Sequence, residues 1–422
     1  MMKTFYRVCY LAVGLRLFFP SIALAKALTL KDCYQLALQR SEVVKYSEED
    51  IRLIRAKYQE ILGAVMPRIT LTGTETLQEK ISSTSGFSTT FNRFSTPSIA
   101  VTLTQPIFHG FKDFYALRSG KAELLQKEFL EQEARRQLYM DVATTYYTIS
   151  SLDRNIRTTN QILSVLRSQM LEMNKWLNLG KIRESEVASQ KTEIALLEAG
   201  LEKYKGDKLI AYEVLAYFTG LDPHPSILSQ SPFSRRLQPL SFFLQAALKR
   251  PDLSAIKQDI RRSDEGIKMA KSDFMPAVDF AADYYPYRVG VSADIDWDVQ
   301  FKMQVPVFNL SNIGKLKEAK SIAVQSRLLA EQKERSVATD VKKSFKSLES
   351  SLRQLNRYQN AVSLAQKSYQ LQRDDYLNGL VSHLDVLQSE RSWFEALKQR
   401  DAAEIQAWMD WMTLQSNAGT LP

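Results

Sequence analysis

Beyond residue 25 the chain has no run of about 20 consecutive apolar residues, so no helix of the exported protein is expected to cross a bilayer. Any passage through a membrane is left to strands. Cysteine is almost absent, with Cys9 in the leader described below and Cys33 alone after it, which excludes an internal disulfide. Leu30-Lys31-Asp32 places an acid ahead of Cys33 where a lipidation site wants a small residue, so a lipid anchor is disfavoured. The histidines His109, His224 and His383 are scattered along the sequence. There is no His-Glu-x-x-His, Cys-x-x-Cys, Gly-x-Ser-x-Gly or glycine-rich phosphate loop after a strand. The residues thus give no support for catalysis, a cofactor or a metal, and the expectation is a protein that is not an enzyme. The net charge of +9 is not gathered with interleaved aromatics on one face, and nucleic acid is not an expected partner.

Proline is missing between Pro106 and Pro223 and again between Pro306 and Pro422, while four prolines fall at 223, 225, 232 and 239. The proline-free tracts predict helix and the cluster predicts a linker. Residues 1–25 run from Lys3 and Arg7 through an apolar segment to Ala23-Leu24-Ala25, the pattern of a cleaved signal peptide. The remainder is an internal duplication. Asp141–Gly220 overlies Asp340–Gly419 without a gap, matching Val142 with Val341, Tyr146 with Phe345, Gly180 with Gly379 and Val187 with Val386. Upstream, Leu38-Gln39-Arg40 matches Leu248-Lys249-Arg250, and Met66-Pro67 matches Met275-Pro276. The expected organisation is a signal peptide (1–25), a first repeat (26–222), a Pro-rich linker (223–239) and a second repeat (240–422). Each half is expected to hold a helix, a strand pair and a long helical hairpin.

In the second proline-free tract Leu348, Leu352, Leu355, Tyr358, Val362, Ala365 and Tyr369 step by three and four, with Ala361, Leu364, Ser368 and Leu371 as a second stripe beside them. Two stripes imply neighbours on two sides, which suits a tube of helices turning at Leu179-Gly180 and at Asn378-Gly379. Within about 67–108 and 276–308 the period changes to two. Ala293, Ile295, Trp297, Val299, Phe301 and Met303 alternate with Asp294, Asp296, Asp298, Gln300 and Lys302. Shorter alternations surround Ile69, Val101 and Phe280. Four such strands in an exported chain favour a transmembrane barrel over a soluble hairpin. Four strands cannot close, and open edges are not tolerated in hydrocarbon, so chains must pool them. Two chains would give a barrel of about eight strands, filled by its own side chains, whereas three give about twelve and a water-filled lumen.

These features together resemble the TolC-like outer membrane efflux protein family. The resemblance rests on Leu28-Thr29-Leu30 before Ala37-Leu38, on Met66-Pro67 before the first strand, and on Gln105-Pro106-Ile107-Phe108 closing the second. It extends to the tips Leu179 to Val187 and Asn378 to Val386, and to Phe218-Thr219-Gly220-Leu221-Asp222-Pro223 at the end of the first half. The resemblance implies a fold of mixed, mostly helical class: a homotrimer with a 12-stranded outer membrane β-barrel continued by a 12-helix periplasmic α-barrel. It also implies an inner membrane pump and a periplasmic adaptor (membrane fusion protein) as partners, in drug efflux or type I secretion. The competing reading is a periplasmic adaptor or coiled-coil linker without its own pore.

The resemblance places a periplasmic constriction at Asp385 and Gln388, with Glu186 and Ser189 at the matching first-half positions and Tyr376 holding the tip closed. The family's second acid is Gln388 here, and the basic residue two positions after the second tip glycine is Val381. Ser382-x-x-Asp385 also reads as a capping box for the returning helix. The tips Gly180, Lys181, Ile182, Arg183 and Gly379, Leu380, Val381, Ser382 are candidates for adaptor docking, or for a hydrophobic contact that completes the turn. Asp279, Asp283, Asp294, Asp296 and Asp298 are expected in the barrel lumen, with Ile295, Trp297 and Phe301 toward lipid.

Overall fold

The computed structural model describes residues 27–79, 94–221, 226–228, 237–290 and 293–421. The leader expected at 1–25, His224 and most of the linker expected at 223–239 lie outside the described residues.

The chain opens with α1 (Leu30–Arg40) and α2 (Glu42–Val65), where one helix is expected from the sequence. The break is at Ser41, whose side chain accepts from Val44 N–H and so starts a new helix, while the Ser41 N–H closes the old one on Ala37 O. Thr29 and Asp32 form a reciprocal capping box at the start of α1. The second half breaks at the equivalent place. There α5 (Leu240–Ala247) gives way to α6 (Pro251–Ser272), with Pro251 in the first turn, where its missing N–H costs nothing.

Each opening helix pair leads into two strands. These are β1 (Arg68–Leu77) and β2 (Ser95–His109) in the first half, and β3 (Ala277–Arg288) and β4 (Trp297–Gln304) in the second. All four join in one antiparallel sheet in the order β1-β2-β3-β4. The edges β1 and β4 have no partner strand among the described residues.

The hairpins are α3 (Lys112–Asn178) with α4 (Glu184–Thr219), and α7 (Leu310–Leu377) with α8 (His383–Asn417). Their 67- and 68-residue arms are each about 100 Å long at 1.5 Å per residue. Among the described residues no helix is long and apolar enough to cross a membrane.

Three clusters hold the helices together. In the first, Cys33 and Ala37 of α1 meet Tyr139, Tyr146 and Tyr147 of α3, Tyr212 of α4 and Trp408 of α8. Burial pushes the Cys33 thiol up to about 11, leaving it an inert core group. The second cluster repeats this plan with Phe243, Leu253, Val341, Leu348 and Leu414, and the third joins the hairpins through Leu166, Leu197 and Phe394. Tyr146 Oη ties the linker to the first half: its one proton faces the carbonyl oxygens of Leu28 and Leu228, where Leu28 forms a short parallel bridge with Ile227.

The duplication is also visible at the helix ends. Gly220 and Gly419 both adopt positive φ after the returning helices, at 74° and 66°. Each lies under an arginine of the opening helix pair, Arg40 on Gly220 and Arg250 on Gly419. A Cβ on Gly419 would come within 2.8 Å of Arg250 Cγ, so the close approach requires glycine here.

Candidate channel wall and gate

The sheet is two-faced. Strand pairing sets Asp279 opposite Lys302, Ala281 opposite Gln300 and Asp283 opposite Asp298, while the alternate positions pair Phe280 with Phe301, Ala282 with Val299 and Tyr284 with Trp297. Because directly opposed residues share a face, polar and apolar side chains are sorted to opposite sides. The first two strands continue the sorting, with Thr70 opposite Thr102 on one side and Leu71 opposite Val101 on the other. Trp297 and Phe301 are 68% and 70% exposed, and Ile69 and Leu71 both 72%. Among the described residues no element of the chain covers this apolar face.

On the polar side Thr102 Oγ1 donates to Asp283, and Tyr285 Oη donates to Asp298 across 3.1 Å. The alternating sequence around Trp297 predicts a strand from Ala293, but β4 begins only at Trp297. Asp294, Ile295 and Asp296 belong to the connection from β3, where Gly290 sits at φ 130° and takes the chain off the ladder. Asp296 stays next to the sheet through its carbonyl, which accepts from Tyr285 N–H at 2.8 Å.

Sheet and hairpins meet at a tight corner. Gly110 and Phe111 both have positive φ, and a Cβ on Gly110 would lie 2.7 Å from Met275 Cβ. His109 bridges Asp113 at 3.1 Å and Asp279 at 2.9 Å, and Lys112 pairs with Asp273 at 2.6 Å. His109 is isolated in the sequence but central to this joint. Its neighbour in the motif Gln105-Pro106-Ile107-Phe108 was the available signal.

At the other end both hairpins turn on a left-handed glycine, Gly180 at φ 66° and Gly379 at φ 75°, each with open space around it. Leu179, Leu380 and Leu384 are exposed beside them, while Ile182 and Val381 are half-buried. Lys181, Arg183 and Ser382 are exposed as well. Asp385 closes a capping box with Ser382: its carboxylate accepts from Ser382 Oγ at 2.6 Å and from the Ser382 N–H at 2.9 Å. The Ser382 hydroxyl and then its backbone N–H hold the Asp385 carboxyl below the usual range. Gln388 and Ser189 are exposed one turn further on, with Ser189 Oγ bound to its own helix at Ser185 O.

The structure brings together two of the five constriction candidates. Tyr376 Oη donates to Glu186 Oε2 at 3.1 Å, linking α7 to α4 across the two hairpins. Its ring lies 6.4 Å from that of Trp176 and 5.7 Å from that of His383. Burial, and then the hydrogen bond to Glu186, push the Tyr376 phenol up to about 12, so it remains a donor. Burial lowers the His383 pKa.

About two turns above lies a buried node that sequence reasoning missed. Gln169 Nε2 of α3 donates to Tyr369 Oη of α7 at 2.5 Å and to Glu390 Oε1 of α8 at 2.7 Å. Gln190 Nε2 of α4 donates to Gln169 Oε1 at 3.0 Å. One residue from each hairpin helix thus meets at a point.

A family model described as outer membrane efflux protein matches residues 33–221 and 244–420. The sequence is 22% identical to the outer membrane protein TolC of Escherichia coli (strain K12), over 94% of this chain and 84% of that protein. It is 24% identical to the probable outer membrane lipoprotein SilC of Salmonella typhimurium and 23% identical to the cation efflux system protein CusC of Escherichia coli (strain K12). Each of these two alignments covers 67% of this chain, and they span 64% of SilC and 65% of CusC, a little under two thirds of each relative. Among solved structures, CusC superposes with a TM-score of 0.81 at 18% identity, covering 92% of this chain and 91% of CusC. The outer membrane protein VceC of Vibrio cholerae superposes at 0.79 with 17% identity, covering 92% and 96%.

Proposed function

Because the chain belongs to the outer membrane efflux protein family, we propose that three copies of it form a channel that spans the outer membrane and extends into the periplasm. Each copy gives its four strands to a closed barrel of about twelve, and its two hairpins to a tunnel below it. The observation that carries this reading is the uncovered apolar face of the sheet, with Trp297 and Phe301 exposed on it and carboxylates sorted to the other side. In water such a face would be buried against a core, as the soluble hairpin reading requires. Here it fits hydrocarbon, and the polar face with Asp279, Asp283 and Asp298 fits a wet lumen. Asp294 and Asp296 fall near its mouth and Ile295 near its rim.

Substrates cross without chemistry, handed over by an inner membrane pump through a periplasmic adaptor that docks on the tips around Gly180 to Arg183 and Gly379 to Ser382. The hairpins close the periplasmic end, with Tyr376 and Glu186 as the link inside each copy. Asp385, beyond its capping role, and Gln388 face the narrowed entrance as its threefold ring. Membrane fractionation tests the reading. The protein stays in the membrane through carbonate washing and comes off only with detergent; release by carbonate would favour the adaptor or linker reading instead.

A further inference from the structure

Glu390 is only 3% exposed, although it is a carboxylic acid on a helix of a slender hairpin. Its carboxyl receives two protein donors, the amide of Gln169 and the hydroxyl of Tyr369. A carboxylate has about four acceptor sites, so ionisation in place would leave half of that capacity unmet away from water. The surroundings reinforce this. Glu193 of α4 opposes a charge on Glu390 and is itself engaged by Arg391 of α8 at 2.6 Å, while Arg373 of α7 favours a charge from beside Glu172 of α3, 3.7 Å away. The stacked ring of Trp393, 5.3 Å from that of Tyr369, closes the node from above. Gln169, Gln190, Tyr369 and Glu390 belong to four different helices, so they meet only while the two hairpins are packed against each other.

We propose that Glu390 is a proton-operated clasp between the hairpins, un-ionised while the tips are packed and ionised once they part. The proposal rests on reading the tips as the moving parts of the channel. Burial, partly offset by the hydrogen bonds from Gln169 and Tyr369, raises the Glu390 pKa to about 7. A carboxyl whose pKa is raised by packing costs the packed state nothing below the ordinary value of 4.5, opposes it increasingly as pH rises from there, and reaches its full effect just above about 7. The clasp therefore loosens as pH rises from the ordinary glutamate range towards about 7, and is fully loosened just above that. His383, near the tip, has its pKa lowered by burial, which moves it away from a midpoint of about 7.

The test is a pulsed-EPR distance between nitroxides on Lys181→Cys and Leu380→Cys, at the exposed tips of the two hairpins. The solubilised full-length protein is diluted with unlabelled chain, so that each oligomer carries one labelled copy. The separated population should grow as pH rises from 4.5 towards and past about 7, with a midpoint no higher than about 7. Glu390→Gln should hold the packed distance across the range, and Glu390→Asp should keep a step. A parent distance that ignores pH, or a step of full size in Glu390→Gln, overturns the proposal. Should Glu390→Gln fail to assemble, Tyr369→Phe, which deletes one donor to the carboxyl, must raise the midpoint; an unmoved midpoint overturns it equally. Conductance of the same preparations separates this from the channel reading, because a protein that conducts at no pH refutes the channel while the distances still judge the clasp.

Discussion

Tyr376 on the long arm of one hairpin donates its phenol proton to Glu186 on the returning arm of the other, at 3.1 Å. The two residues are 190 positions apart, and the bond between them is the lowest hydrogen bond across the hairpins among the described residues. A neutral donor on an ionised acceptor stabilises by roughly 1.5–3 kcal/mol, discounted here because both groups are partly solvated. Tyr376→Phe or Glu186→Gln should therefore raise the fraction of time the channel is open, with the oligomer otherwise intact by native electrophoresis. Asp385→Ala should leave this bond in place and fray the first turn of α8, which hydrogen exchange at residues 383–387 would show.

The uncovered face of the sheet makes an asymmetric prediction. Trp297→Lys or Phe301→Lys should lower assembly stability by roughly 2–4 kcal/mol where the site is near the bilayer midplane. Thr70→Lys, on the opposite face, should be tolerated. Heat-dissociation of the oligomer on gels reads the difference, and equal effects from the two faces would reassign them.

Asp283 and Asp298 stand opposite each other on the polar face. In the proposed trimer, threefold repetition would make this stretch of the lumen anionic, so the channel should prefer cations. Asp283→Asn with Asp298→Asn should move the reversal potential in a salt gradient toward zero without loss of conductance.

Left-handed glycines differ in what surrounds them. Gly180→Ala meets only the backbone penalty, about 1–2 kcal/mol. Gly419→Ala adds a Cβ 2.8 Å from Arg250 Cγ and should lower the melting temperature further.

Acid should strike the same joint. Burial acts to raise the Asp252 pKa, but hydrogen bonds and charge from Arg250, then from Lys333, outweigh it and hold the carboxyl below its ordinary 3.8. A depressed carboxylate stabilises the fold above its unfolded pKa, and that contribution is lost as pH falls below about 3.8. Asp252→Asn should flatten the stability profile in that window and lower stability throughout the range above it.

Periodicity made the strands and hairpins legible, because a residue two, three or four places away is a neighbour in space. The break at Ser41 was less so, since a serine inside an apolar period reads as a surface position until its cap is seen. The alternation from Ala293 to Asp296 misled in the other direction, because polarity alternates in the turn while the ladder begins at Trp297. At the tips the capping box was readable from Ser382-x-x-Asp385, a local motif. The Tyr376–Glu186 bond and the node around Gln169 and Glu390 join residues about 200 positions apart, and no local pattern encodes such contacts. The duplication offered the only hint, by placing the two tips at equivalent heights.

Single-channel recording in a planar lipid bilayer tests the central claim most directly. The purified oligomer should insert without a helper and give discrete current steps, with Tyr376→Phe raising the open fraction over the parent. Failure of parent and variant alike to produce steps, from a preparation that is folded and oligomeric, would contradict the account.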